Sequence, residues 1–243
     1  MKEKTDRIFL DSTKAPRGFL FDKRVAAVFD NMLHRSIPFY REIQRMVVEC
    51  AIPFIQPDTA VYDLGCSIGT TLLALSKASL PVPVTLLGVD GSEAMLARCR
   101  ETLASSSVPI PLVYHDLNIP FPFQRASFIS MILSLQFLMK ENRKPLLHDI
   151  FRALVPNGAF ILVEKVKFRS PLVQSHFQKG YYDFKRRNGY SEEEIYRKEE
   201  ALKHVLVPLT IEKNKKWLKE AGFSIIQTFF QWYNFVGFLA VKS

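Results

Sequence analysis

The stretch Val61-Tyr-Asp-Leu-Gly-Cys-Ser-Ile-Gly69 decides the predicted fold of this chain. It overlaps a short β pattern over 59–63 and leads into a helical pattern over 70–79, so it predicts a strand, a turn and a helix in succession. Gly65 allows the backbone to turn tightly, and Gly69 allows a ligand or the helix to approach closely. Such a unit is typical of nucleoside-binding α/β proteins.

The spacing of the glycines narrows the class of ligand. The turn reads G-x-x-x-G, whereas a loop that binds a pyrophosphate normally reads G-x-G-x-x-G, and no P-loop lysine follows. Both absences argue against a dinucleotide. The turn therefore predicts a nucleoside cofactor without phosphates.

Two aspartates follow the next strand patterns along the chain. Asp90 ends the pattern over 84–90, where a carboxylate accepts hydrogen bonds from both ribose hydroxyls. Asp116 follows the pattern over 112–115 and is suited to accept a hydrogen bond from the exocyclic amine of adenine. Because parallel strands bind ligands at their carboxyl ends, these aspartates and the Gly65 turn are expected to meet in one site.

Alternating strand and helix patterns predict an α/β fold with a largely parallel sheet and helices on both faces. The last two strands are separated by only three residues, which predicts a terminal antiparallel hairpin. A Rossmann-like, seven-stranded sheet of the methyltransferase type fits this order better than a dinucleotide-binding sheet, which ends in a parallel strand. The seven predicted strands are 59–63, 84–90, 112–115, 127–134, 159–165, 224–231 and 235–241.

The whole chain, 1–243, is predicted to form a single domain with two helical additions. Residues 1–55 form an N-terminal helical cap, with an irregular start over 1–20 and helical patterns after it. Residues 166–210 are polar, charged and too long for a simple loop, and 191–204 has a helical pattern. This segment is therefore predicted to be an inserted helical lid.

Composition excludes several classes of protein. Three cysteines at wide spacing form neither a disulfide framework nor a CxxC metal pattern, and the five histidines lack metal-site spacing. No signal peptide or membrane-spanning stretch is evident, so a soluble, cytoplasmic protein is predicted. The net charge of +9 favours anionic partners, either nucleic acid or small polyanions. Cys66 is interpreted as a small packing residue rather than a nucleophile.

Further stretches outside the glycine turn resemble one known family over nearly the whole chain. They include Gln56-Pro57, Leu135-Gln-Phe-Leu138, Glu164-Lys165, Asp183-Phe-Lys-Arg186 and Asn188-Gly-Tyr-Ser-Glu192, together with Phe21-Asp22, Arg35-Ser36 and Ala221-Gly-Phe223. On these residues the chain resembles the carboxy-S-adenosyl-L-methionine synthases, a family that acts in the modification of tRNA wobble uridine.

The resemblance implies a reaction, a cofactor and a set of binding residues. The reaction converts S-adenosyl-L-methionine and prephenate into carboxy-S-adenosyl-L-methionine, phenylpyruvate and water, in a homodimer that need not touch tRNA. The cofactor-binding residues implied by matching are Tyr40, Gly65, Cys66, Ser67, Asp90, Gly91, Asp116 and Leu117. Asp63, Gly69 and Ile132 are predicted to bind the cofactor with them. No catalytic residue is assigned.

Gly91 stands where this family has an asparagine, and two further departures from its pattern matter more. Ile132 stands where the family has an asparagine at the end of the fourth strand, and Glu199 stands where it has an arginine that pairs with the added carboxylate. Replacing that cation by an anion turns attraction into repulsion. Arg197 or Lys198 would supply the charge after a small shift in register. The second hypothesis is therefore an ordinary methyltransferase that acts on a small molecule or RNA.

A third, non-enzymatic hypothesis rests on the net charge and on the basic triplet Lys185-Arg186-Arg187. It predicts a protein that sequesters the cofactor or binds RNA with a strong dependence on salt. The triplet also belongs to the family motif, so direct binding of nucleic acid is not the expected outcome.

Overall fold

The computed structural model describes residues 6–10 and 19–243, in which seven strands form one sheet of order β3-β2-β1-β4-β5-β7-β6. The strands are β1 (Ala60–Leu64), β2 (Thr85–Asp90), β3 (Leu112–Tyr114), β4 (Ala126–Ile132), β5 (Leu154–Lys165), β6 (Ile225–Trp232) and β7 (Phe235–Val241). The first five are parallel, whereas β7 runs antiparallel to both β5 and β6. This confirms the predicted Rossmann-like sheet with its terminal hairpin.

Helices flank the sheet on both faces and form the cap and the lid. They are α1 (Lys23–Ala26), α2 (Phe29–Ser36), α3 (Tyr40–Ala51), α4 (Thr70–Lys77), α5 (Glu93–Leu103), α6 (Lys140–Ala153), α7 (Pro171–Arg187), α8 (Glu192–Leu202) and α9 (Ile211–Ala221). None of the helices in the described ranges is long and apolar enough to cross a membrane. Several begin at a hydroxyl side chain that caps the first turn, as Ser191 does with Glu194 at the start of α8.

Two apolar layers enclose the sheet because successive strand residues point to opposite faces. In β1, Val61 packs into the layer formed with α3, α4 and α5, whereas Tyr62 packs into the layer formed with α6 and α9. All five residues of β1 are buried, as expected for a central parallel strand covered on both sides. The two layers leave the carboxyl edge of the parallel strands as the opening for a ligand.

The cap and the lid meet over that edge. Arg35 at the end of α2 donates from Nε to the carbonyl of Asn188 at 2.9 Å and from Nη2 to that of Gly189 at 2.6 Å. The hydroxyl of Tyr190 donates to Oδ2 of Asp6 at 2.6 Å. These bonds connect residues that are far apart in sequence, and they hold the lid against the N-terminal part of the chain.

The structure differs from the sequence prediction in a few element boundaries. The 17-residue helix α7 was not located within the predicted lid, because its polar sequence has little apolar periodicity. The strand predicted to start at 159 begins at Leu154, since the Pro156-Asn157-Gly158 turn forms an irregularity inside β5. The strand predicted over 127–134 ends at Ile132, before Leu133 turns to a φ of 57°. Most of the irregular start predicted over 1–20 lies outside the described residues.

Candidate active site

A cavity of about 930 Å³ lies at the carboxyl ends of β1, β2, β4 and β5, between the cap and the lid. Most of the residues predicted for the site line it. They are Tyr40, Asp63, Gly65, Cys66, Ser67, Asp90, Gly91, Asp116, Leu117, Ile132, Lys198 and Glu199. Two predicted residues, Gly69 and Arg197, do not line the cavity.

The glycine turn is fixed by its backbone. The N–H groups of Gly65 and Cys66 both donate to the carbonyl of Val89, at 2.7 and 3.0 Å. Gly65 has a φ of +70°, and a Cβ atom there would lie 2.3 Å from Oγ of Ser134. Only glycine combines this left-handed conformation with such a close neighbour. The turn therefore keeps its backbone open toward the cavity.

Asp90 organises the turn from the neighbouring strand. Its Oδ2 accepts from the N–H of Ser67 and its Oδ1 from the N–H of Ser92, both at 2.8 Å. Burial raises the pKa of the Asp90 carboxyl, although both N–H bonds lower it. Each oxygen keeps a second acceptor position, so the carboxylate accepts a pair of ligand hydroxyls from a fixed orientation.

Asp63 and Tyr40 form a polar group deeper in the site. Asp63 is buried, accepts from the Ser130 hydroxyl at 2.7 Å, and has a pKa raised to about 7, mainly by burial. Burial also raises the pKa of Tyr40, whose hydroxyl is hydrogen-bonded to Thr70 and Gln44. Oε1 of Gln44 is buried and has no hydrogen-bond partner among the described residues. An unpaired acceptor beside a carboxyl fits a ligand that carries an ammonium group.

The opposite wall of this end is more open. Asp116 is exposed, and its Oδ1 accepts from the backbone and the side chain of Asn118, both at 2.9 Å. Leu117 beside it is buried and gives an apolar surface. Gly91 lies near the carbonyl of His115, at 3.4 Å from an added Cβ, so its glycine is not required by geometry.

Gly69 and Cys66 have packing roles. A Cβ on Gly69 would lie 2.6 Å from Sγ of Cys99, so this glycine lets α5 approach the start of α4 rather than admitting a ligand. Cys66 is buried, and its hydrogen bond with Cys99 and its burial raise the pKa of the thiol. A thiol of this kind is not a nucleophile near neutral pH, which agrees with the packing interpretation of Cys66.

The other end of the cavity is rich in lysine. Lys165 ends β5, Lys185 lies in the last turn of α7, and Lys198 lies on α8. Lys185 and Lys198 are only 4 and 5% exposed. Burial lowers the pKa of Lys165 and of Lys198 to about 8 and that of Lys185 well below its ordinary value.

The structure places the three lid residues predicted to contact the added carboxylate, Arg197, Lys198 and Glu199, in different surroundings. Arg197 pairs with Glu193 on the outside of α8 and donates to the carbonyl of Phe9 at 3.4 Å, so it does not supply the predicted charge in the cavity. Lys198 does point into the cavity side of the lid. Glu199 lines the cavity, where Nε2 of Gln178 donates to it at 3.0 Å and the hydroxyl of Tyr182 also donates to it.

Two of the lysines were not predicted as site residues. Lys185 was grouped with Arg186 and Arg187 as a basic triplet, but it is buried in the cavity, and Arg186 is paired with Asp183 and Glu192. The triplet is therefore not a continuous basic surface. Lys165 carried a usable signal, because it ends a parallel strand, as Asp63 and Asp90 nearly do. Among the described residues, no group of three or more His, Cys, Asp or Glu side chains could hold a metal ion.

These features define an S-adenosyl-L-methionine-dependent protein of the methyltransferase class. A family model described as a methyltransferase domain matches residues 61–158. The solved structure of a "putative S-adenosyl-L-methionine-dependent methyltransferase" from Methanococcus maripaludis has a TM-score of 0.62 at 18% identity. The match covers 95% of this chain and 97% of that one. At this identity the likeness shows the fold.

The particular family follows from closer relatives. A carboxy-S-adenosyl-L-methionine synthase from Methylococcus capsulatus is 47% identical over 239 residues, which cover 98% of this chain and 99% of the relative. Another from Nitratiruptor is 38% identical over 237 residues and covers 98% of each chain. The chain belongs to the carboxy-S-adenosyl-L-methionine synthase family and is an enzyme of that kind, with S-adenosyl-L-methionine as its cofactor.

Proposed function

We propose that this enzyme converts S-adenosyl-L-methionine and prephenate into carboxy-S-adenosyl-L-methionine, phenylpyruvate and water. The observation that carries the proposal is the similarity to named synthases over 98% of the chain, lid included. A cavity that joins an acidic, nucleoside-sized end to a lysine-rich end supports it. In the overall balance, prephenate gives up a carboxyl group and its hydroxyl, and the hydroxyl leaves as water with the proton of the methyl group.

The residues of this chain divide the work between binding and charge. The bound cofactor supplies a methyl carbon that the neighbouring sulfonium makes acidic. Asp90 orients the ribose from a carboxylate that is itself held by two N–H groups. Asp63 and Gln44 line the cavity and would hold the ammonium group of the cofactor. Lys165 at the end of β5 and the lysines of the lid lower the free energy of an acidic second substrate in a partly desolvated site.

The product belongs, by resemblance, to the modification of tRNA wobble uridine, in which a separate transferase uses it. The enzyme itself then acts on small molecules, and no contact with tRNA is needed. A homodimer is carried over from the same resemblance. Light scattering of the pure protein tests the oligomeric state.

Mass spectrometry of the product tests the reaction. The pure protein incubated with both substrates is expected to give a cofactor heavier by one carbon dioxide, together with phenylpyruvate in equal amount. Omitting prephenate, or replacing the enzyme by the Asp90→Asn variant, is the control. Absence of the heavier product over a range of pH and substrate concentrations contradicts the proposal.

Ile132 and Glu199 favour a second candidate, an ordinary methyltransferase. Ile132 gives the cavity an apolar side chain without a hydrogen bond, and Glu199 places a carboxylate where it repels a carboxylated cofactor. This candidate predicts that S-adenosylhomocysteine forms with an acceptor and that prephenate has no effect. In the Glu199→Arg variant, the proposed synthase should gain affinity for the carboxylated cofactor, whereas an ordinary methyltransferase should gain nothing.

A further inference from the structure

Two lysine side chains share one aromatic ring at the lid end of the cavity. The Nζ atoms of Lys165 and Lys185 lie 4.6 and 4.8 Å from the centre of the Tyr181 ring, which is 5% exposed. In residues 6–10 and 19–243, neither Nζ makes a hydrogen bond or an ion pair. Both side chains line the cavity. The pair is thus held by a neutral ring and directed at a space that receives a ligand.

Lys198, another lysine that lines the cavity, differs because its Nζ has hydrogen-bond partners. Nζ of Lys198 donates to Oγ of Ser36 at 2.8 Å and to the hydroxyl of Tyr190 at 3.1 Å. The carboxylates of Asp6 and Glu194 offset its charge and that of Arg35 nearby. Lys198 therefore holds the lid against the cap.

Among the residues that the structure describes, Glu199 is the carboxylate whose charge raises the pKa of both Lys165 and Lys185. It is fixed by neutral donors on α7, Tyr182 and Gln178, and forms no ion pair with either lysine within 4 Å. One carboxylate facing two ammonium groups leaves a net positive charge. Burial lowers the pKa of Lys185, and repulsion from Lys198 and then from Lys165 lowers it further.

A purely structural role does not explain this arrangement. Lys185 is 4% exposed, and burying an ammonium group that has no ion-pair or hydrogen-bond partner among the described residues destabilises the folded state. An apolar side chain of the same length would fill the same space against Tyr181 without that cost. A bound anion supplies the missing counter-charge.

We propose that Lys165 and Lys185 form a subsite that binds a carboxylate of the acidic second substrate, and that Glu199 limits the negative charge that this subsite accepts. The chemical class of the ligand is a small carboxylate or dicarboxylate. Its identity as prephenate rests on the proposed function. The two lysines thereby supply the positive charge that, by the resemblance, an arginine supplies at the position of Glu199.

Titration calorimetry with malonate, on protein saturated with S-adenosyl-L-methionine, tests the subsite directly. Lys165→Met and Lys185→Met are each expected to raise the Kd of malonate about tenfold, the loss expected for one charge-assisted contact. Glu199→Gln keeps the shape and is expected to lower the Kd about twofold, because an exposed charge is screened. The matched control is Lys179→Met, because Lys179 is exposed on α7, the helix that carries Lys185, and no change in Kd is expected.

Thermal unfolding separates this role from a structural one. Because Lys185→Met removes an uncompensated buried charge, it should leave the Tm of the cofactor-free protein unchanged or raise it by about 2 °C. If Lys185 had a structural role, Lys185→Met would instead lower both the Tm and the affinity for malonate. The Lys165 side chain is only partly buried, so Lys165→Met gives a second measurement if Lys185→Met fails to fold.

The outcomes distinguish the subsite from the proposed reaction. Malonate binding that weakens in both lysine variants supports the subsite even if no carboxylated cofactor is ever formed. If Lys165→Met and Lys185→Met both carboxylate the cofactor with an unchanged KM for prephenate, the subsite is overturned and the proposed reaction stands. Wild-type protein that does not bind malonate, or variants that bind it like Lys179→Met, also overturn the proposal.

Discussion

The two ends of the cavity are built in different ways. At the cofactor end, backbone N–H groups and one glycine conformation position the carboxylate of Asp90, and most of the parts come from adjacent strand ends. At the lid end, charged side chains from β5, α7 and α8 meet across long stretches of sequence. Backbone geometry tolerates little change, whereas side-chain charge changes with one substitution.

Breaking the backbone support of Asp90 should have the largest effect. Asp90→Asn keeps one acceptor oxygen and presents an NH₂ group to an N–H donor, so the turn and the ribose contact are both disturbed. The Kd of S-adenosyl-L-methionine is expected to rise about 100-fold, as for loss of charge-assisted bonds. Calorimetry measures it, with exposed Glu93→Gln as the control. A rise below fivefold would mean that Asp90 does not position the ribose.

Adding one methyl group to the turn should come next. Gly65→Ala puts a Cβ 2.3 Å from Oγ of Ser134 at a φ of +70°, so it is expected to cost about 2–3 kcal/mol of unfolding free energy. Urea denaturation measures the loss. Gly91→Ala is the matched control, because its Cβ would meet its nearest neighbour at 3.4 Å. Equal losses in both variants would contradict the special role of Gly65.

The pH dependence of stability sharpens the contrast further. The pKa of Asp63 is raised to about 7 in the folded protein, so between about pH 4 and 7 the folded state binds more protons than the unfolded state. Its contribution to stability is therefore present at low pH and is lost as pH rises through 7. Between pH 5 and 8, cofactor-free wild type should lose on the order of 2 kcal/mol relative to Asp63→Asn.

Urea denaturation at several pH values measures this difference between the two proteins. Glu93→Gln should follow the wild-type curve, since its exposed carboxyl does not face the site. Parallel curves for wild type and Asp63→Asn would show that Asp63 is ionised throughout.

Arg197 should give the smallest effect. It lies on the outer side of α8 and is paired with Glu193, so Arg197→Gln should change the KM of prephenate by less than about twofold. The neighbouring charge at Glu199 faces the cavity instead. Steady-state kinetics of variants at the two positions measure this difference. A tenfold change in KM for Arg197→Gln would mean that Arg197, rather than Glu199, faces the cavity.

The contrast also explains what the sequence could predict. The sheet, the turn at Gly65 and the placement of Asp90 depend on local patterns, and each lies where a strand pattern ends. The lysine pair depends on the contact of β5 with α7, which no local pattern encodes. Lys185 in particular is followed by two exposed arginines in the sequence. Its burial depends on which side of α7 packs against the cavity. The structure separates Arg197 from Glu199 for the same reason, because adjacent helical residues point in different directions.

The hydrogen bonds among Asp6, Tyr190, Ser36 and Lys198 have a practical consequence for handling the protein. Asp6 is the end of a chain of polar contacts that reaches the lid, so shortening the N-terminus would loosen α8 and weaken substrate affinity. Such a loss would be mistaken for an active-site defect, although every cofactor contact would be intact.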